Sequence, residues 1–486
     1  MKTKKGGEIK VMYTSYAIIL KEKDKDLKEY CSKYCQEAKL FKNAVIFRLR
    51  QLYFAWIKDY NALSEHEIEV LDEFMTTYDK FLSINKEHMF PTYNQFERML
   101  RNTKNPDFFN GLPMQCNQQI IKESMSDFKS YFNAKKEYQK NTKNTKNKGN
   151  SSFTGKPRFP KYAKSSEISF DITNQDAVIY CNEADSLKLL KLPKTKIRLN
   201  LGNLDIKDNM KLKEVTIKPF YDTYKICLVF EVTNKLNEDR KVKKLNKKNA
   251  LGIDLGVDNI ITTSNNCGLY PFVIKGNEIK SRNQWYNKLL SKYTSKLRIS
   301  TNKGTKESKY TSKRIRKLNM YRNNYVNDKY NKIASYIIKY CQSNNIGTII
   351  IGKNDQWKSE IDMQKKDKQN FVYISHSVLV SKIKMMAIKY EINVIEHEES
   401  YTSKASFLDN DDIPIYEKGK KDTNTVSYKF SGKRIKRGLY KTKNGILINA
   451  DVNGASNIIR KALGNNVFDD IQNFDYLVKT VISVRI

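Results

Sequence analysis

The sequence ALGIDLGVDNIITTS fills residues 250–264, and the second half of the chain is built around it. Leu251, Ile253 and Leu255 alternate with small or polar residues, and a further apolar run follows a short turn, which predicts a hairpin of two half-buried strands. Asp254 lies within the first strand, where a carboxylate is costly to desolvate unless it is paired or binds a metal ion. By itself the stretch fits a metal ligand and a solvent-facing aspartate on an edge strand about equally well.

The chain is strongly basic. Lysine and arginine number 89 against 53 acidic residues among 486, a formal net charge of +36. This charge predicts a polyanionic partner, and nucleic acid is favoured over a membrane because no continuous apolar segment of about 18 residues is present. The length predicts two or three domains. The first ten residues lack the apolar core of a signal peptide, so we expect a cytoplasmic, nucleoid-associated protein.

The residue types that bind soft metals are sparse. The seven cysteines are scattered without a CxxC pair, and none of the four histidines is paired at metal-ligand spacing. We therefore expect neither a disulfide framework nor a zinc site. A metal ion bound to this chain would need oxygen ligands, as magnesium does.

The first half combines strand and helix patterns. Loose alternation predicts a strand over residues 9–21, and apolar residues at helical spacing predict helices over 24–60, 64–82 and 115–135. Short strand patterns then recur over residues 167–231. Together they predict a small β-barrel that includes the N-terminal strand and carries the helices as an insert.

Residues 155–162 read GKPRFPKY and mix basic with aromatic groups. Lys156, Arg158 and Lys161 could bind phosphates while Phe159 stacks on bases. The alternative is an ordinary proline-rich turn, and the net charge favours contact with nucleic acid.

The second half predicts an α/β domain with a mixed sheet. Residues 283–340 form a very basic helical stretch that includes Arg314 and Arg316. A run of charge is usually a solvated face, but two antiparallel helices this basic beside a carboxylate site would form a track for nucleic acid. Residues 347–352 have the continuous apolar run of a buried parallel strand, and Asp451 begins a helix.

Four motifs occur in a fixed order along this half. They are GIDLG at 252–256, IIGKNDQW at 350–357, EESYTSKAS at 398–406 and DVNGA at 451–455. In this order they resemble the split RuvC nuclease of the TnpB family, transposon-encoded RNA-guided nucleases related to the type V CRISPR effectors. The first half is also similar to that family, through LPMQ and GKPRF.

The resemblance implies an α+β multidomain fold. It combines an OB-like wedge β-barrel, which carries a helical recognition insert, with a C-terminal RuvC domain of the RNase H fold. On this chain the implied boundaries are 1–22 with 155–240 for the barrel, 23–150 for the insert and its basic linker, 247–465 for the nuclease domain, and 466–486 for a C-terminal tail. The nuclease domain would include the basic helical hairpin at 283–340 and an insert at 406–449.

The resemblance also implies an activity and its partners. The expected function is cleavage of double-stranded DNA next to a short adjacent motif, directed by a guide RNA, without a membrane or small-molecule substrate. The expected cofactors are two magnesium ions, for which manganese can substitute, and two-metal hydrolysis of a phosphodiester needs at least three converging carboxylates. Asp254 matches the first carboxylate of the family's triad and Asp451 the third.

The second carboxylate departs from the family pattern. Gly352 stands where the family usually has a glutamate, whereas Glu398 and Glu399 follow the next predicted strand. In an RNase H sheet that strand lies beside the one that lost its glutamate, which resembles a subgroup of these nucleases with a relocated glutamate. Glu399 is slightly favoured over Glu398 as the ligand. The alternative is a solvated strand end and an inactive site; Glu360 and Asp409 are weaker candidate ligands.

A second departure is the absent zinc ribbon, because residues 406–449 contain no cysteine. Residues 430–446 instead predict a basic hairpin with Lys433 and Arg434, which could contact the target strand or act as a lid. Trp357 is predicted to be a packing anchor.

Two other functions remain open on the sequence. A nuclease-inactive RNA-guided DNA-binding repressor is suggested by Gly352, although the retention of Asp254 and Asp451 argues against it. An RNA-independent nuclease of RuvC type is the other, although the chain is much longer than that task needs.

Overall fold

The computed structural model describes most of the chain, namely residues 12–78, 90–109, 111–143, 155–182, 187–202, 204–207, 209–232, 244–300, 311–353, 374–414, 428–478 and 481–486. The chain divides into two compact units at Arg240 and Lys241. Trp357 and Glu360, which the sequence suggested as a packing anchor and a minor candidate ligand, lie outside the described residues.

The first unit contains four described α-helices and seven strands. The helices are α1 (Lys25–Ile57), α2 (Glu65–Met75), α3 (Tyr93–Asn102) and α4 (Met114–Lys143). The strands are β1 (Met12–Ile19), β2 (Phe170–Thr173), β3 (Val178–Asn182), β4 (Leu187–Lys191), β5 (Arg198–Asn200), β6 (Met210–Phe220) and β7 (Thr223–Val232).

Local sequence explains where these helices begin. Ser64 accepts a hydrogen bond from the backbone of Glu67, whose side chain bonds back to Ser64, and Thr92 and Gln95 repeat this capping box at α3. Helix α1 buries an apolar stripe at helical spacing and is part of a core that continues through both sheets of the unit.

Strand β1 pairs antiparallel with β7, and the four-stranded sheet has the order β1-β7-β6-β2. The helices therefore lie, in sequence, between two parts of one sheet. Strands β3, β4 and β5 form a second, antiparallel sheet. No ladder joins the two sheets in the described part of this unit, so barrel closure stays a prediction.

The second unit is built on a six-stranded sheet. Its strands are β8 (Asn246–Leu255), β9 (Asn259–Asn265), β10 (Phe272–Lys275), β11 (Ile346–Lys353), β12 (Asn393–Glu398) and β16 (Ile482–Val484). A small antiparallel sheet holds β13 (Lys433–Lys436), β14 (Leu439–Lys441) and β15 (Leu447–Asn449). The helices are α5 (Asn277–Ser300), α6 (Lys313–Ser343), α7 (His376–Ile388), α8 (Ala450–Leu463) and α9 (Asp475–Val478).

The large sheet is mixed, with the order β12-β11-β8-β9-β10-β16. Strands β8, β9 and β10 form an antiparallel meander, whereas β11 runs parallel to both β8 and β12. Residues 347–352 thus lie in a buried parallel strand, as predicted.

The central hairpin of β8 and β9 is covered on both faces. Leu251 and Ile253 belong to a cluster with residues of α6 and α7, while Ala250 packs on the other side with Val452 and Ile459 of α8. The prediction of half-buried strands was therefore wrong, because a helix nearly 200 residues later in the chain covers the second face.

The last residues are integrated into this unit. Strand β16 pairs in parallel with β10, and Tyr476 and Leu477 are buried. The structure therefore differs from the predicted separate tail at 466–486. None of the described helices has the length and apolarity needed to cross a membrane.

Candidate functional site

A cavity of about 670 Å³ opens at one end of the large sheet. Asp254, Glu399 and Asp451 line it together with a fourth acidic residue, Asp258. The first three come from separate segments, since Asp254 is near the end of β8, Glu399 directly follows β12, and Asp451 lies in the first turn of α8. The fold thus brings together the three carboxylates that the sequence suggested.

Asp254 packs against backbone that carries no side chain. A Cβ atom added to Gly454 of α8 would lie 3.0 Å from Oδ2 of Asp254. Gly252 makes a similar approach on the same strand, because a Cβ there would lie 2.5 Å from the carbonyl oxygen of Ala455. The glycines of both motifs therefore let α8 lie directly on β8 and carry Asp451 beside Asp254.

Asp451 is fixed by the start of its helix. The side chain of the N-cap residue Asn449 accepts hydrogen bonds from the backbone N–H groups of Asp451, at 3.0 Å, and Val452, at 3.2 Å. In the first turn, the positive end of the helix dipole favours the charge of Asp451. Its carboxylate also accepts from Asn259 Nδ2 at 2.8 Å and from Arg434 Nη2 at 3.1 Å.

Glu399 crosses the strand that lacks the expected glutamate. Gly352 lies one residue beyond Ile351, which pairs with Ile253, so it stands next to the position of Asp254. A Cβ atom at Gly352 would lie 2.5 Å from Oε2 of Glu399. The side chain of Glu399 therefore fills the space that the absent side chain at 352 leaves open.

Glu398 has a different environment. Lys461 donates to Glu398 Oε2 at 2.6 Å and to the carbonyl oxygen of Ser400 at 2.8 Å, and the ammonium-bearing side chain is only 4% exposed. The backbone N–H of Ser400 donates to Glu398 Oε1 at 2.5 Å. Glu398 does not line the cavity, so the geometry favours Glu399 as the third carboxylate.

The loop after β12 is held by two buried asparagines of α8. Asn457 donates to the carbonyl oxygens of Thr402 and Ala405, at 2.9 and 2.7 Å. Asn453 donates to Ala405 at 2.8 Å and accepts from the backbone N–H of Phe407 at 2.9 Å. The same helix therefore positions Asp451 directly and Glu399 through this loop.

The carboxylates of the cavity disfavour one another's charge. Burial, with the charges of Glu399 and Asp451, raises the pKa of Asp254 well above its usual range. Burial and the charge of Glu398 raise the pKa of Glu399 to about 7. Burial works against the charge of Glu398 as well, but hydrogen bonds from Lys461 and Ser400 hold its pKa below the usual value.

Basic side chains reach the cavity from the hairpin of β13 and β14. Arg434 pairs with Asp451, and Arg437 lies 2.9 Å from Asp258, which also pairs with Lys280 at 2.9 Å. The hydrogen bond from Lys280 lowers the pKa of Asp258. Arg434 Nε also donates to the carbonyl oxygen of Arg437 at 2.8 Å, which fixes the tip of the hairpin over the carboxylates.

Sequence reasoning missed Asp258, Asn259 and Arg437 as cavity residues. The first two follow Gly256 in the turn between β8 and β9, at the same end of the sheet as Asp254. Their position directly after β8, the strand of the GIDLG motif, could have indicated that they lie near Asp254. Arg437 belongs to the basic hairpin predicted over residues 430–446, but its contact with Asp258 depends on how the hairpin folds back.

The donor set of the cavity fits a hard divalent cation. Carboxylate oxygens are the ligands magnesium prefers, and a cation would relieve the repulsion that raises the pKa of Asp254. Across the described ranges, no three acidic, histidine or cysteine side chains are gathered closely enough to hold a metal ion. In this conformation Arg434 supplies part of the compensating charge.

The remaining predicted contact residues are placed as follows. Lys156, Arg158 and Lys161 are exposed in the first unit, and Arg314 and Lys433 are exposed in the second, where Arg316 is partly buried. Asp409 accepts from Ser406 Oγ at 2.6 Å and from the backbone N–H of Lys443 at 2.8 Å, and is not among the cavity residues.

Phe159 packs among other aromatic rings of the first unit. Its ring packs against Tyr53, Phe54, Phe128 and Tyr131, with centroid distances of 5.1, 5.7, 5.2 and 4.7 Å. Phe159 is partly buried among these rings, and its stacking on a base stays a prediction.

Comparison with known proteins finds one family model and several solved structures that are similar to this chain. The model OrfB_IS605, described as a probable transposase, matches residues 229–358. The cryo-EM structure of the Cas12f1–sgRNA–target DNA complex is similar at 13% sequence identity, with a TM-score of 0.50, over 92% of this chain and 98% of that one. The segment that the family model matches is about a quarter of the chain. No curated protein matches its sequence.

Two other solved structures resemble this chain at lower TM-scores. The cryo-EM CRISPR-Cas12f ternary complex gives 0.31 at 13% identity, over 90% of this chain and 85% of that one. The crystal structure of the AacC2c1–sgRNA binary complex gives 0.34 at 9% identity, over 90% and 70%. The Cas12f1 likeness shows a shared mixed α+β multidomain fold.

The family match covers only part of the site. Residues 229–358 include Asp254 and Gly352 but end before Glu399, Asp451 and the hairpin with Arg434. Gly352 thus lies inside the matched segment, whereas Glu399, whose side chain fills the space beside it, lies outside.

Proposed function

We propose that this chain is a member of the TnpB family and a magnesium-dependent, RNA-guided endonuclease that cuts double-stranded DNA with Asp254, Glu399 and Asp451. The observation that carries the proposal is the passage of Glu399 over Gly352 into the cavity of the two aspartates. A protein that only binds nucleic acid has no use for three carboxylates around one cavity, because they repel its ligand. The proposal includes membership of a subgroup with a relocated glutamate and no zinc ribbon.

The strand order supports a RuvC domain of the RNase H type in the second unit. An antiparallel meander of β8, β9 and β10 is followed by β11 and β12, which add in parallel beside β8. Helix α8 then crosses the sheet and brings Asp451 to the end of β8. For the first unit we propose an OB-like wedge with a helical recognition insert, with the boundaries predicted from the sequence.

The cavity residues suit phosphodiester hydrolysis. Asp254, Glu399 and Asp451 would hold two magnesium ions, for which manganese could substitute; once bound, the metal would supply activation of water and stabilisation of the leaving oxygen. Arg434 and Arg437 present guanidinium groups at the same opening, where they would bind and orient a phosphate of the incoming strand. Asn259 and Asn449 hold Asp451 in its place.

We propose a guide RNA and target duplex DNA as partners. The similar Cas12f1 structure is a complex with sgRNA and target DNA, and the net charge of +36 suits two polyanions. In such a complex, base pairing with the guide selects the sequence, and the protein reads a short adjacent motif together with the shape of the heteroduplex.

A nuclease-inactive, RNA-guided DNA-binding repressor is the second candidate. Gly352 favours it, because the glutamate usual in the family is missing there. The ion pair between Arg434 and Asp451 would also be compatible with a site that holds no metal. An RNA-independent nuclease remains a third possibility.

The test is a plasmid-cleavage assay with the complex as it forms in cells. The full chain is expressed with its flanking locus, the copurifying RNA is sequenced, and the complex is mixed with magnesium and a plasmid library that matches this RNA. We expect cutting of matched plasmids that is lost in Asp254→Asn and in EDTA. Binding of matched plasmid without cutting would support the repressor, and cutting without RNA would support the third candidate.

A further inference from the structure

An exposed aromatic and arginine cluster lies on α5 and α6 of the second unit. It consists of Arg282, Trp285, Tyr321 and Tyr325, here called the Trp285 platform. Trp285 is 42% exposed and Tyr321 is 47% exposed. A depression of about 490 Å³ is lined by Arg282, Trp285 and Tyr325. Large aromatic side chains this open to solvent are available to a partner.

Arg282 holds the rings of the platform in place. Its guanidinium carbon lies 5.4 Å from the ring centroid of Trp285, 5.3 Å from that of Tyr321 and 4.6 Å from that of Tyr325. The centroids of Trp285 and Tyr321 are 5.9 Å apart, at an interplanar angle of 64°. The rings of Trp285, Tyr321 and Tyr325 thus all lie against the guanidinium group of Arg282.

The charge of Arg282 is not compensated by a carboxylate. Glu278, which lines the same depression, pairs with Lys329 at 2.5 Å and accepts from the hydroxyl of Tyr325 at 3.3 Å. In the described part of the chain, Arg282 forms no ion pair. The platform therefore presents a cation beside open ring faces, a combination that suits a base and its phosphate.

The helices around the platform favour a polyanion over a protein partner. Helix α5 contains six basic residues and one acidic residue, and α6 contains eight basic residues and one acidic residue. Exposed aromatic groups interleaved with cations are the usual surface for single-stranded nucleic acid, because each base has a face that can stack.

The platform lies on a helix that also contacts the carboxylate cavity. Lys280 of α5 pairs with Asp258, which lines the carboxylate cavity. Trp285 follows Lys280 by five residues, about 7.5 Å along the helix axis. The same helix therefore contacts the lining of the cavity and carries part of the platform, which favours the strand that enters the cavity as the occupant.

We propose that the Trp285 platform stacks an unpaired base of the single DNA strand that enters the carboxylate cavity. This inference rests on the proposed function for the identity of that strand. Trp285 supplies the main stacking face, Tyr321 the second, and Arg282 binds the adjoining phosphate.

The test compares two oligonucleotides that carry the same charge. The full chain with its copurifying RNA is titrated, in EDTA, with labelled oligothymidylate that is not complementary to that RNA, and with an abasic oligomer of equal length. Trp285→Ala should weaken oligothymidylate binding about 5- to 100-fold, the range expected for one stacked base. Binding of the abasic oligomer should stay unchanged, and Trp285→Phe should retain most of the affinity.

Tyr270→Ala is the matched control, because Tyr270 is also exposed, at 50%, and belongs to the same unit. Equal binding of oligothymidylate by Trp285→Ala and wild type would overturn the proposal, as would an equal loss for both oligomers. A loss for oligouridylate without a loss for oligothymidylate would indicate an RNA contact and overturn the assignment to DNA. Cleavage is not needed for this measurement, so an inactive nuclease could still confirm the platform, and failure of the proposed function would be distinguishable from failure of the platform.

Discussion

A Cβ atom at position 352 would lie 2.5 Å from Oε2 of Glu399 and 2.6 Å from Cδ1 of Ile458. Non-bonded carbon and oxygen atoms do not approach this closely, so a side chain at 352 and the present position of Glu399 exclude each other. The glycine is therefore not merely the site of a lost ligand. It is the opening through which a glutamate from the next strand reaches the two aspartates.

Gly352→Ala tests this competition for space. We expect it to lower the free energy of unfolding by about 1–3 kcal/mol, as overpacking of a core usually does, and to slow DNA cleavage about 100-fold through displacement of Glu399. In a Glu399→Ala background the same substitution should destabilise clearly less, because the carboxylate is gone. Thermal and denaturant unfolding of the four variants measures this coupling, and strictly additive effects would argue against it.

Some residues of the site could be predicted from the sequence more firmly than others. Asp254 and Asp451 were identified from motifs, because each lies at a position that the family pattern fixes. Glu399 was favoured only slightly over Glu398, since two adjacent glutamates after a strand look alike in sequence. The difference arises from Lys461, which binds Glu398 from α8 and leaves Glu399 for the cavity.

Among the elements, α8 has the most roles in the site. It carries Asp451 in its first turn, and its Gly454 leaves room for the side chain of Asp254. It also holds the loop after β12 through hydrogen bonds from Asn453 and Asn457. The sequence predicted the start of this helix but not its coverage of β8, which is why the central hairpin was expected to be half-buried. Burial of a strand's second face depends on chain segments far away in sequence, and local patterns do not contain that information.

Asn453→Ala tests the role of α8. Asn453 is fully buried and makes two hydrogen bonds to backbone groups of the loop, so its loss leaves both partners unsatisfied. We expect a decrease of about 2–4 kcal/mol in the free energy of unfolding. Asn465→Ala, at an exposed position after the same helix, should change it by less than about 0.5 kcal/mol. Equal effects in denaturant unfolding would contradict this account.

The hairpin of β13 and β14 places Arg434 on a carboxylate that magnesium would need. Magnesium should raise the thermal midpoint of the wild type, since a ligand at about 100 times its Kd stabilises by about 2.7 kcal/mol. In Arg434→Ala, half of this effect should occur at a lower magnesium concentration, because no guanidinium competes for Asp451. Asp254→Asn controls for magnesium bound elsewhere. The same magnesium dependence in Arg434→Ala and wild type would contradict this competition.

At the scale of the whole molecule, the basic charge is present in both units. Lys156, Arg158 and Lys161 are exposed in the first unit, and the helices α5 and α6 carry it in the second. The sequence predicted the partner class from charge alone, because charge needs no tertiary structure to be counted. It did not predict that Phe159 packs against four other aromatic rings, because those rings come from distant parts of the sequence.

Salt dependence tests this distribution of charge. Affinity for non-complementary duplex DNA should fall about 10³- to 10⁵-fold between 50 and 200 mM salt if about six to ten phosphates are contacted. Arg158→Gln should reduce the slope of log K against log salt by about 1. Phe159→Leu should leave the slope unchanged and lower the thermal midpoint, because its ring packs within the first unit. A slope altered by Phe159→Leu alone would indicate that the ring of Phe159 contacts the nucleic acid.

The most direct test of the central claim is single-turnover cleavage of matched target DNA by Glu399→Gln and Glu398→Gln, each in complex with the RNA and magnesium. Glu399→Gln should cut more than about 100-fold slower than wild type, since even residues that only support metal ligands are worth about 10–100-fold. Glu398→Gln should stay within about tenfold of wild type, because that side chain pairs with Lys461 away from the cavity. Wild-type cutting by Glu399→Gln would contradict the assignment of the third carboxylate and, with it, the proposed site.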